Sequence, residues 1–68
     1  MEQGWIKVYT SNESFAAELV QAVLKDHELN PVLINKRDSS YLNFGAFEIY
    51  VHQDFEKESL QIILENQL

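Results

Sequence analysis

The hydrophobic and polar positions change their period several times along the chain, and each change predicts an element. From Trp5 to Thr10, Ile6 and Val8 alternate with Trp5, Lys7 and Tyr9, the two-residue period of a half-buried strand with Ile6 and Val8 inward. Thr10-Ser11-Asn12 offers hydroxyl and amide caps, and Glu13 falls in a first turn, where the helix dipole favours an acid. From Phe15 to Leu24 the apolar residues Phe15, Ala16, Leu19, Val20, Val23 and Leu24 recur at helical spacing, with Glu18, Gln21 and Lys25 outside. Asn30-Pro31 stops that helix. Val32 to Lys36 reads as a second strand with Val32 and Ile34 inward, and the polar run from Arg37, with Asn43 and Gly45, reads as a loop. Phe47 to His52 alternates again, Phe47, Ile49 and Val51 against Glu48, Tyr50 and His52. Gln53-Asp54 then caps a last helix whose inner stripe is Leu60, Ile63 and Leu64, widened by Phe55 and Ile62.

The resulting order, β-α-β-β-α, predicts an α+β fold, a two-layer sandwich with two helices on one sheet face. The first strand, helix and second strand form a crossover that leaves a slot for the third strand, giving strand order 1-3-2. This is a ferredoxin-like split β-α-β without its usual final strand, in a single domain over residues 1–68 with an ordered core over 5–66. The first strand is then expected to keep an open edge where a fourth would lie.

The stretches KVYTSNESFAAELVQAVLKDHEL (Lys7 to Leu29) and EIYVHQDFEKESLQIILEN (Glu48 to Asn66) resemble a bacterial domain family of unknown function, labelled as prokaryotic signal-transducing proteins and grouped with GlnB-like folds. The shared features are a strand ending in hydroxyl residues, a helix carrying Ala17-Glu18-Leu19, and a strand leading into an acid-capped helix. Family members often carry Gly-Ile at the end of the first helix, Pro just after the third strand and Ala in the last helix. This chain has Glu28-Leu29, His52 and Ser59 there.

Size changes the picture next. With 68 residues the chain buries only roughly 60% of its unfolded surface, so a stability on the order of 3–5 kcal/mol is expected. There is no cysteine to form disulfides, and two histidines without thiolates make a poor zinc set, which leaves self-association as the available reinforcement. The cysteine-free composition fits a reducing compartment, and Met1-Glu2-Gln3-Gly4 does not open a signal peptide. Apolar runs are far too short for a membrane span, so the expected address is the cytoplasm. The net charge of −6, with only Lys36-Arg37 as a basic pair, argues against a nucleic-acid surface, which needs clustered cations.

Candidate chemistry is sparse. Asp26, His27 and Glu28 are consecutive and do not share a helix face, and His52 with Asp54 gives too few ligands for zinc. Ser39 and Ser40 have no histidine base nearby and suit a turn, and Gly4 and Gly45 make no phosphate loop. No catalytic, cofactor or metal residue is therefore assigned, and the chain is not expected to be an enzyme. Two surfaces stand out. One is the loop Arg37, Asp38, Ser39, Ser40 and Tyr41, which the GlnB-like resemblance equates with a projecting partner-binding loop, and which otherwise reads as ordinary exposed loop. The other is the sheet face away from the helices, expected to carry Trp5, Lys7, Tyr9, Leu33 and Tyr50, an unusual apolar load for a lone monomer. The expected function is a regulatory or interaction domain acting through another protein or through self-association as a homodimer or larger. The alternatives are a GlnB-like sensor of a small metabolite or nucleotide, for which no residue speaks directly, and a weak single-strand nucleic-acid binder, which the acidic charge disfavours.

Overall fold

The computed structural model describes residues 3–36 and 47–68. In chain order it contains β1 (Trp5–Ser11), α1 (Ser14–Asp26), β2 (Val32–Asn35), β3 (Phe47–His52), a 3-10 turn (Gln53–Phe55) and α2 (Glu56–Glu65). The sheet has the order β1-β3-β2, with β3 central and antiparallel to both neighbours, so that β1 and β2 run parallel. Phe47, Ile49 and Val51 on β3 form one cluster with Ala17, Val20 and Leu24 of α1 and Ile62 of α2, which sets both helices on that face. The other face of the sheet stays open among the described residues. No helix among them is long and apolar enough to cross a membrane.

Both helices end in the same way. Glu28 N–H donates to the Lys25 carbonyl and Leu29 N–H to that of Leu24, with Glu28 in the left-handed region at φ 61°. Gln67 N–H likewise donates to Leu64 and Leu68 N–H to Ile63, with Gln67 at φ 56°. These are Schellman turns, which satisfy the last helical carbonyls and fold the following apolar residue back. Leu29 is buried and Leu68 packs against the core. The turn at Glu28 ends α1 before Asn30-Pro31 is reached, so proline is not the stop signal here.

The helix starts also differ from expectation. Ser11 lies in β1 and its Oγ accepts from Glu13 N–H at 3.0 Å, while Glu13 itself is the N-cap, with no acid in the first turn. Ahead of α2, the ring Nδ1 of His52 accepts from Asp54 N–H at 3.2 Å and caps the 3-10 turn.

Side-chain facing departs from the sequence pattern in three places. In antiparallel sheets directly opposed residues share a face. The register shifts between Lys7 and Tyr9, a bulge that makes Val8 the extra residue and sets Tyr9 opposite Ile49. Val8 and Tyr9 therefore both pack against the core, and Tyr9 leaves the open face on which it was expected. In β2, Leu33 opposes Ile49 and packs inward, whereas Val32 and Ile34 oppose Tyr50 and Glu48 and face outward, the reverse of the expected assignment. The helices are rotated as well. Ala17, Val20 and Leu24 are the buried line of α1, while Phe15 (74% exposed) and Leu19 (44%) face solvent. In α2, Ser59 and Ile62 are buried while Leu60 and Leu64 are exposed. Small residues sit at the fully buried helix positions Ala17 and Ser59, where they let a helix approach closely.

Candidate functional site

The open face is built from alternate residues of all three strands. Trp5, Lys7 and Thr10 of β1 oppose His52, Tyr50 and Glu48 of β3, and Val32 and Ile34 of β2 flank Tyr50 and Glu48 from the other side. At its centre Glu48 is only 9% exposed, which is unusual for a carboxylate on a sheet face that no described element covers. Its neighbours explain how the charge is tolerated. Oε1 accepts from the Tyr50 hydroxyl at 2.9 Å and lies 3.7 Å from Lys36 Nζ, and Oε2 lies 3.5 Å from Lys7 Nζ. Burial pushes the Glu48 carboxyl up, but the Tyr50 hydrogen bond and the charges of Lys36 and Lys7 outweigh it and hold the group below the ordinary glutamate value. The same bond to the Glu48 carboxylate, with some burial, raises the Tyr50 hydroxyl above its usual range.

At one end of the face the Trp5 and His52 rings meet edge to face, with centroids 6.1 Å apart and planes at 80°. His52 also lies 3.5 Å from Asp54 Oδ2. Gly4, at φ 95°, passes so close that a Cβ there would come within 3.2 Å of His52 Nε2, and its carbonyl accepts from Gln53 N–H at 2.7 Å. This tie holds the start of β1, and with it Trp5, against the end of β3.

Of the residues expected on this face, Trp5, Lys7 and Tyr50 are there, while Tyr9 and Leu33 belong to the helix side. Val32, Ile34 and Lys36 join it instead. The loop candidates Arg37, Asp38, Ser39, Ser40 and Tyr41 lie outside the described residues. Among the described residues no group of three or more His, Asp or Glu could hold a metal ion.

The second feature is on the helix side. A cleft of about 290 Å³ opens between β1, the start of α1 and the segment after α2, lined by Tyr9, Phe15, Leu19, Val20 and Leu68 with Glu13 and Gln67 beside them. Sequence reading missed it because it placed Phe15 and Leu19 in the core and Tyr9 on the opposite face. Charge is also divided between the two sides. Along α1 and its ends the chain carries Glu13, Glu18, Asp26 and Glu28 with Lys25, and around α2 it carries Asp54, Glu56, Glu58 and Glu65 with Lys57. Among the described residues, the open face carries Lys7 and Lys36 around the single acid Glu48.

No family model, curated protein or solved structure matches this chain.

Proposed function

We propose that this chain is a non-enzymatic interaction module that self-associates through the open face of its sheet. The observation that carries the reading is the side-by-side placement of Trp5, Val32, Ile34 and Tyr50 on a face that no described element covers. Burial of apolar surface contributes roughly 25 cal/mol per Å², and only what exceeds an association cost of ~4–15 kcal/mol appears as affinity. The face is a better candidate than the free edge of β1. A bulge bends that edge at Val8, which is one way sheets discourage strand addition.

A regulatory role is supported by the resemblance of the Lys7–Leu29 and Glu48–Asn66 stretches to GlnB-like signal-transducing domains. The strand order β1-β3-β2 with two helices is consistent with a ferredoxin-like arrangement. The cysteine-free composition supports a reducing, cytoplasmic setting. Lys7 and Lys36, partly neutralised by Glu48, are too few to favour nucleic acid over protein as the partner.

Trp5 is the sole tryptophan, so its fluorescence reports on the face directly. From micromolar to millimolar protein, sedimentation equilibrium is expected to show rising mass, with a matching blue shift of the Trp5 emission. Trp5→Glu combined with Tyr50→Glu is expected to hold the chain at 7.9 kDa. A wild-type chain that stays at that mass throughout refutes self-association.

The second reading, a small-ligand sensor, is favoured by the cleft, whose volume approaches the ~300 Å³ lower end of ligand pockets. A thermal-shift screen of metabolites and nucleotides tests it, since a ligand at about 100 times its Kd adds roughly 2.7 kcal/mol. A screen without a single shift counts against it.

A further inference from the structure

We infer that the open sheet face of one copy docks on the helix layer of a second copy, with the Trp5 end of the face seated over the cleft formed by Tyr9, Phe15, Leu19 and Leu68. This rests on the self-association proposed above and names the surface that receives the face.

Two sheet faces meeting each other would bring together like charge, because Lys7 and Lys36 exceed Glu48 on each. The helix layer has the opposite character. Glu13 borders the cleft, Glu18 lies on the same helix, and among the described residues no basic residue lines the cleft. Complementary potentials steer association and fix orientation, and like charges brought together oppose it.

Shape points the same way. The helix layer exposes Phe15 and Leu19 one turn apart on α1, beside a cleft open to solvent. At about 290 Å³ the cleft has room for one large side chain. Trp5 is the largest side chain on the open face. The two surfaces lie on opposite sides of a two-layer molecule, so each copy offers one of each and the contact is head to tail. Such assembly grows beyond a dimer unless a ring closes.

Complementation between two variants tests this. Trp5→Glu spoils the sheet face and keeps the cleft, and Leu19→Glu spoils the cleft and keeps the sheet face. Each alone is expected to sediment as a folded monomer at a concentration where wild type associates, with folding checked by circular dichroism. An equimolar mixture is expected to form a one-to-one complex, because one intact surface of each kind remains. Should Trp5→Glu not fold, Lys36→Glu at an exposed position serves in its place. Association of the wild type is also expected to weaken as salt rises from about 0.05 to 0.5 M, since screening removes the attraction between unlike surfaces.

Leu19→Glu that associates as well as wild type would show face-to-face pairing, overturning this inference while leaving self-association standing. Two monomeric variants that remain monomers when mixed overturn it as well. A wild-type chain that never associates removes the parent proposal and this one together.

Discussion

The hydroxyl of Tyr50 donates to Glu48 Oε1 at 2.9 Å, two residues back along the central strand on the same open face. Together with Lys7 and Lys36 it lets a carboxylate sit nearly buried in the middle of an apolar patch.

This arrangement makes stability depend on pH at both ends of the scale. The Glu48 carboxyl is held below its ordinary value of 4.5, so its contribution is present above that pH and is lost as pH falls through the lower folded value. The Tyr50 hydroxyl is held above 10.0, so its contribution is present below that pH and is lost as pH rises through the higher folded value. Urea denaturation between pH 2 and 6 is expected to show a shallower acid loss for Glu48→Gln than for wild type. Tyr50→Phe, which removes the donor and brings the folded carboxyl closer to its ordinary value, is likewise expected to show a smaller total acid loss than wild type. Identical acid profiles for all three proteins would show that Glu48 is not coupled to folding.

Glu28 and Gln67 each hold a left-handed backbone position that a side chain resists by about 1–2 kcal/mol. Glycine removes that strain but costs entropy in the unfolded chain, so Glu28→Gly is expected to stabilise by roughly 0.5–1 kcal/mol. Gln67→Gly is expected to act in the same direction. The urea midpoint measures both, and a lower midpoint for Glu28→Gly would contradict the Schellman geometry at the end of α1.

Ser59 is fully buried, at 0% exposure, and its hydroxyl has no hydrogen-bond partner among the described residues. An unmade hydrogen bond of this kind costs about 1–3 kcal/mol, and alanine is also the better helix former. Ser59→Ala is therefore expected to raise stability by about 1 kcal/mol, read from chemical or thermal unfolding. Destabilisation of that size would mean that the hydroxyl is satisfied in solution.

Ile49 and Leu19 separate the core from its apparent extension. Ile49 is fully buried and faces the helices, so Ile49→Ala is expected to cost roughly 2–5 kcal/mol, enough to unfold much of so small a domain. Leu19 is 44% exposed, and Leu19→Ala is expected to change stability by less than about 1 kcal/mol. Comparable losses for the two variants, measured by urea unfolding, would return Leu19 to the core.

The element types, their order and the inward side of the central strand were all legible in the sequence. Phe47, Ile49 and Val51 alternate strictly with polar or amphipathic partners, so only one face of β3 could join the apolar core. The placement of Trp5, Lys7 and Tyr50 on the opposite face followed from the same period. Tertiary structure decided what that period leaves degenerate. Val32-Leu33-Ile34 is apolar at every position, and only pairing with β3, which sets Leu33 against Ile49, selects the inward residue. In β1 a single extra residue at Val8 reverses the facing of Tyr9, and a bulge arises from register against the neighbouring strand. The apolar stripes of both helices are wider than the surface they can bury. Close approach at Ala17 and Ser59 fixed their rotation, leaving Phe15 and Leu19 outside beside a cleft that local pattern alone could not reveal.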